Sequence, residues 1–179
     1  MANILLAVTG SISAYKAADL TSQLTKLGHQ VKILMTPAAT AFITPLTLQV
    51  LSKQAFLVEV MTEDDPKQIQ HIDLGKEADL FLVAPASANT IAKLAHGFAD
   101  NIVTSTALAL PSEVKKFLAP AMNTKMLDHP ATQNSLETLK SYGYQIIPPR
   151  EALLACGDQG SGALASIETI LTTIQESLS

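Results

Sequence analysis

Ile4-Leu5-Leu6-Ala7-Val8-Thr9-Gly10-Ser11-Ile12-Ser13 is the stretch on which the fold turns. Five consecutive apolar residues suit a strand buried on both faces, and Thr9-Gly10-Ser11 ends that run. From about Ser13 to Leu27, the residues Ala17, Leu20, Leu24 and Leu27 recur at helical spacing, and Gly28 stands where a helix stop is expected. A buried strand passing through a tight turn into an amphipathic helix is the opening of a βαβ unit.

The same alternation continues outward. Short apolar runs predict strands at 31–35, 80–84, 116–119 and 145–147, with an extended piece at 57–60. Residues 37–52 read as helix broken at Pro45, and further helices are expected at 89–94, 101–110, 131–142 and 166–178, with a polar loop over 62–70. The fold class is therefore α/β: a single domain over residues 1–179, doubly wound, with a mainly parallel sheet and helices on both faces, Rossmann- or flavodoxin-like.

Composition agrees and removes several function classes. Hydrophobic residues make up 47% and charged residues 16% of the 179, which suits a packed core or an oligomer that covers part of its surface. The net charge is −4 and the 12 Lys and Arg are scattered, so no basic stripe exists for nucleic acid. No apolar run has the length of a membrane span, and the N-terminus lacks a basic leader. One cysteine excludes a disulfide framework and a Cys-rich zinc site. A free thiol points to a reducing, cytoplasmic setting.

Ligands of such folds gather beyond the carboxyl ends of the strands. At the first strand end, the backbone N–H groups after Gly10 and the helix dipole suit a phosphate, while Ser11 and Ser13 serve equally as plain helix caps. The dinucleotide pattern Gly-x-Gly-x-x-Gly is absent, and the second strand ends in Met35-Thr36-Pro37 with no acidic residue for an adenosine ribose. This argues against NAD and leaves a mononucleotide such as FMN. Pro85-Ala86-Ser87-Ala88-Asn89-Thr90 brings small and polar groups to the end of a very apolar strand, and Ser87 or Asn89 could instead simply cap the next helix. Pro120-Ala121-Met122-Asn123 ends another strand, where the Asn123 amide suits a carboxylate or amide of a substrate.

Two further residues are candidates for chemistry. Histidine is the side chain whose reference pKa of about 6.5 suits acid–base work, which makes His71, next to Ile72 at the end of the polar loop, a candidate, although a lone histidine is more often structural. Cys156 lies in Ala155-Cys156-Gly157-Asp158-Gln159-Gly160-Ser161-Gly162, where three glycines predict a mobile loop. An exposed thiol there is either an acid or nucleophile, or an incidental surface cysteine. The four histidines show no metal-ligand spacing.

Taken together, Gly10-Ser11-Ile12 with Ala14-Tyr15-Lys16, Thr36, His71-Ile72-Asp73-Leu74, the run from Pro85 to Thr90, that from Gly97 to Asn101, Pro120 to Asn123, and Ala155-Cys156-Gly157 resemble the homo-oligomeric flavin-containing cysteine decarboxylases over nearly the full length. The resemblance implies FMN contacts at Gly10, Ser11, Ile12, Thr36, Ser87, Ala88, Asn89, Thr90 and Ala121. It implies a catalytic His71, substrate binding by Asn123, and a clamp over the site that contains Ala155 and Cys156.

Cys156 matches the branch that reduces its enethiol intermediate, which implies 4'-phosphopantothenoylcysteine as substrate and 4'-phosphopantetheine as product, in coenzyme A synthesis. A homo-oligomer, a trimer or a dodecamer, is implied, with FMN near a subunit interface and no nucleic acid or membrane partner. A flavin prenyltransferase-like enzyme and a non-catalytic FMN-binding subunit are the alternatives. Two positions depart from the family pattern: Leu127 stands where a tryptophan is common, and the clamp reads Ala152-Leu153-Leu154-Ala155-Cys156-Gly157 rather than opening with Lys-Arg. The basic contact to the substrate phosphate is then missing or comes from elsewhere. The chain stops at Ser179, so a monofunctional enzyme without a fused synthetase is expected.

Overall fold

The computed structural model describes residues 1–59, 69–155, 157 and 159–179. Among them, six parallel strands form the main sheet: β1 (Asn3–Val8), β2 (Gln30–Met35), β3 (Phe56–Leu57), β4 (Leu80–Ala86), β5 (Lys115–Pro120) and β6 (Tyr144–Ile146). The helices are α1 (Lys16–Lys26), α2 (Pro45–Ser52), α3 (Gln70–Glu77), α4 (Ala88–Ala95), α5 (Ile102–Ala109), α6 (Thr124–Asp128), α7 (Pro130–Ser141) and α8 (Ile167–Leu178). A separate antiparallel hairpin pairs β7 (Arg150–Leu153) with β8 (Gln159–Ala163).

The strand order is β3-β2-β1-β4-β5-β6, so the chain reverses its winding between β1 and β4. Ile4 pairs with Val31 on one side of β1 and with Leu80 on the other. Where the connections leave in opposite directions, their loops part and open a crevice at the carboxyl ends of the two strands.

Alternation along the central strands divides the core into two layers. Ile4, Leu6 and Val8 join Leu20 and Leu24 of α1, Leu48 of α2 and Ile170 and Ile174 of α8. Leu5 and Ala7 face the opposite layer, with Leu74 of α3, Ile91 of α4, Val103 of α5 and Leu139 of α7. Every residue of β4 is buried, as expected of a strand covered on both faces.

Three local expectations change. The first helix does not start as α-helix: residues Ile12–Tyr15 form a 3₁₀ turn, because Ser11 accepts a hydrogen bond from the Ser13 N–H and tightens the entry to α1. His71 lies in the first turn of α3 rather than at the end of a loop. Gly75 hides this helix from propensity, yet a Cβ there would come within 3.1 Å of the Ala109 carbonyl oxygen, so glycine is what allows α3 to lie close to α5. Part of the glycine-rich tract near the C-terminus is strand: β8 runs through Gly160 and Gly162 and pairs with β7. Val60 and residues 62–68 of the expected extended piece and polar loop lie outside the described residues. No helix among the described residues is long and apolar enough to cross a membrane.

Candidate active site

The crevice at the β1/β4 reversal opens into a cavity of about 870 Å³. Its floor is a set of strand-end turns held to one another. The Thr9 hydroxyl donates to the Pro85 carbonyl at 2.7 Å and accepts from the Ser87 N–H at 2.9 Å, which joins the ends of β1 and β4. The Ser11 hydroxyl donates to the Ala121 carbonyl at 3.3 Å, and the Ala121 N–H donates to Ala86 at 3.1 Å, so β5 is bound into the same floor. A Cβ on Gly10 would stand 2.7 Å from the Ala38 Cβ. Glycine is therefore what lets the β1 turn approach the turn that follows β2.

Each polar residue also organises a helix start. Ser87 accepts from the Thr90 N–H at 3.3 Å at the head of α4, and Asn123 accepts from the Lys125 N–H at 2.9 Å at the head of α6. Both residues also line the cavity, so the capping role and a place at the cavity go together. Asn101 closes a capping box with Thr104 at α5. Beside it, Lys93 meets Asp100 in an ion pair, and the hydrogen bond from Lys93 holds the Asp100 carboxyl below its usual range.

The residues expected at the site converge with two exceptions. Gly10, Ser11, Ile12, Thr36, Ser87, Ala88, Asn89, Thr90, Ala121, Asn123 and Ala155 all line the cavity. Cys156 lies outside the described residues, between lining residue Ala155 and Gly157. His71 does not line the cavity. Because α3 leads into β4, its first turn stands at the carboxyl end of the sheet, with the His71 Nδ1 buried and without a hydrogen-bond partner among the described residues.

The hairpin forms the roof. The Met122 N–H donates to the Gly162 carbonyl at 2.9 Å, and the Thr124 hydroxyl donates to the Ser161 carbonyl at 2.5 Å. A Cβ on Gly162, whose φ is +135°, would stand 2.3 Å from the Met122 carbonyl oxygen. Roof and β5 loop thus touch backbone to backbone.

Residues that motif reading passed over also line the cavity: Tyr15, Lys16, Phe42, Lys93, Met126 and Arg150. Tyr15 and Lys16 belonged to a recognised motif but carried no assigned role. Arg150 carries no local signal at all, since its place depends on how the hairpin folds back. Among the described residues, no grouping of His, Cys, Asp and Glu could hold a metal ion.

The cavity fits a bound mononucleotide. Thr36 is buried and its hydroxyl has no partner among the described residues, a state that costs free energy until something accepts or donates there. The close-packed Gly10 turn leaves backbone N–H groups at the start of a helix, where an anion is favoured.

Fold and site together define a flavin-binding α/β protein, and the chain belongs to the Flavoprotein family, whose profile matches residues 1–179. It is 66% identical over 175 residues to a probable phosphopantothenoylcysteine decarboxylase of Streptococcus mutans, covering 98% of each chain. It is 46% identical over 169 residues to the coenzyme A biosynthesis bifunctional protein CoaBC of Bacillus subtilis, covering 94% of this chain but only 41% of that protein. Among solved structures, a cysteine-to-serine mutant of a PPC decarboxylase complexed with pantothenoylaminoethenethiol superposes with a TM-score of 0.92 at 32% identity, over 99% of this chain and 98% of the other. The FMN-dependent cysteine decarboxylase SpaF gives 0.84 at 30% identity, again over 99% and 98%.

Proposed function

We propose that this protein uses FMN to decarboxylate 4'-phosphopantothenoylcysteine to 4'-phosphopantetheine, a step of coenzyme A synthesis. The observation that carries the reading is the meeting, in one cavity, of a phosphate-ready floor and a hairpin roof beside Asn123. The near full-length similarity to a probable phosphopantothenoylcysteine decarboxylase supports the same substrate.

When bound, FMN would supply a two-electron acceptor for the cysteinyl end ahead of CO₂ loss and a two-electron donor for the enethiol that follows, so that no net oxidation results. The turn of Gly10, Ser11 and Ile12 holds the cofactor phosphate, and the Thr36 hydroxyl gains its missing partner. Ser87, Ala88, Asn89, Thr90 and Ala121 present small side chains and hydrogen-bonding groups to the rest of the cofactor. Asn123, whose Oδ1 accepts from the Lys125 N–H, binds the substrate through its amide side chain. Ala155 packs over the cysteinyl end and helps exclude water. Cys156 delivers the proton that completes the saturated thiol product.

His71 handles the proton of the oxidative half or holds the substrate carboxylate, and in its own chain it stands outside the cavity. A homo-oligomer, a trimer or a dodecamer, resolves this by bringing His71 of a neighbouring copy to the mouth. The exposed apolar rim of Ile12, Tyr15, Phe42 and Met126 supports such an arrangement, because a second copy would cover it. Residues 1–179 act as one catalytic domain in a cytoplasmic setting.

Purified protein loaded with FMN and given 4'-phosphopantothenoylcysteine is expected to release CO₂ and form 4'-phosphopantetheine in equal amounts. Neither product forming with FMN fully bound would overturn the reading.

A further inference from the structure

We propose that Lys16 and Arg150 form the site for the phosphate monoester of the substrate, in place of the basic residues that this chain's clamp lacks. This assignment deepens the decarboxylase reading and rests on it.

Among the described residues, three cations line the main cavity: Lys16, Lys93 and Arg150. Lys93 is engaged by Asp100, which leaves Lys16 and Arg150 without a carboxylate partner in that group. Both also line an adjoining cavity of about 350 Å³, together with Tyr15, Asp19, Ser166 and Ile167. The two cavities share Tyr15, Lys16 and Arg150, so the cationic pair stands on the threshold between them.

Two like charges side by side disfavour each other. The Lys16 ammonium is pushed below its usual range, by burial first and by the Arg150 charge second. A dianion between them removes that repulsion. Arg150 is held for such a contact: its Nε donates to the Leu164 carbonyl at 3.2 Å, and its remaining guanidinium N–H groups have no partner among the described residues. Lys16 Nζ lies 5.9 Å from the centre of the Tyr15 ring, which steadies the ammonium without satisfying it. Ser166 and Ile167 add the N-terminus of α8, a helix of 12 residues whose dipole favours an anion. Asp19 opposes, but its Oδ1 accepts from the Gln23 side chain at 2.9 Å.

Reach agrees with this placement. Arg150 begins β7, the strand that leads to Ala155, and the five residue steps from one to the other span at most about 18 Å. About eleven bonds separate the phosphorus of the substrate from its cysteinyl Cα, roughly 14 Å when extended with ordinary bond lengths. A substrate whose cysteinyl end lies under Ala155 is therefore long enough to bring its phosphate to the Arg150 end of the roof. The cofactor phosphate belongs to the Gly10 turn, on the floor.

The test uses the FMN-loaded full chain, with 4'-phosphopantothenoylcysteine and its dephosphorylated counterpart as paired substrates. Lys16→Gln or Arg150→Gln is expected to raise KM for the phosphorylated substrate by about ten- to a hundredfold, the loss of one charge-assisted hydrogen bond. The ratio of the two KM values should collapse toward one, and Lys16→Arg should restore most of it. Flavin occupancy, read from visible absorbance, should stay at the native level. Equal losses on both substrates, or no loss, would overturn the site, and loss of flavin would reassign the pair to the cofactor phosphate. Equilibrium binding of 4'-phosphopantetheine against pantetheine reads the same contact without turnover. Equal affinities in the native protein refute the site even where decarboxylation proceeds, whereas unequal affinities without turnover refute only the decarboxylase reading.

Discussion

The floor and the roof of the cavity are built in opposite ways. The floor consists of strand-end turns tied by buried side-chain hydrogen bonds, with Thr9 serving Pro85 and Ser87 at once and Ser11 reaching Ala121. The roof is a two-stranded hairpin whose Leu153 is 71% exposed and which is attached at Met122 and Thr124. Two strands alone are marginal in water, so the roof depends on those attachments, whereas the floor is part of the main core. Rigid backing suits a cofactor that stays bound, and a lightly held cover suits a substrate that must enter and leave.

The largest effect is expected where roof meets floor. Gly162→Ala places a Cβ against the Met122 carbonyl at a backbone angle that suits glycine, and should lift the hairpin from the β5 loop. A displacement of about 1 Å there is expected to lower kcat/KM about a hundredfold, with flavin affinity nearly unchanged. Steady-state kinetics beside a flavin fluorescence titration checks this, and equal loss of flavin would erase the distinction between the two regions.

Thr9→Val attacks the floor alone. It strips the Pro85 carbonyl and the Ser87 N–H of their shared partner in a buried place, which should cost about 2 kcal/mol of unfolding free energy. Flavin affinity is expected to fall with it, as read by urea denaturation and titration of the flavin-free protein.

Thr36→Val is smaller and changes sign with the cofactor. The Thr36 hydroxyl is buried without a partner, so its removal from the flavin-free protein should be neutral or stabilising by up to about 1 kcal/mol. With FMN bound, the same change should weaken flavin binding about tenfold, the worth of one hydrogen bond. Thermal melts with and without FMN test both signs.

Asp100→Asn should matter least. The Lys93–Asp100 pair is partly exposed, so its removal is expected to cost about 0.5 kcal/mol or less. The sign with pH follows from the lowered Asp100 pKa: the contribution is present above about pH 4, where the unfolded carboxyl ionises, and disappears as pH falls through the lower folded value. Carboxyl NMR titration checks the direction, and an Asp100 that titrates above pH 4 contradicts it.

Much of the floor was legible before the fold was known, because its parts are local. A run of apolar residues ending in Thr9-Gly10-Ser11, and another ending in Pro85-Ala86-Ser87, reveal strand ends by composition, and in an α/β fold strand ends are where ligands bind. The roof was not legible. Three glycines between 157 and 162 read as flexibility, whereas Gly160 and Gly162 are small because Thr124 and Met122 press against them. Close approach between segments far apart in the chain leaves the same mark as mobility.

What the sequence determined by itself is therefore the layering: periodicities of two and of 3.6 residues depend only on near neighbours, and they specify which residues face a core. Tertiary structure alone decided where His71 and Arg150 stand. His71 was expected from resemblance at the site and lies outside the cavity of its own chain, while Arg150, without any motif, lies beside Lys16 at its edge. The physical reason is range. A side chain's partners across the cavity are set by strand order and by the return of the hairpin, and neither of these is written in the spacing of adjacent residues.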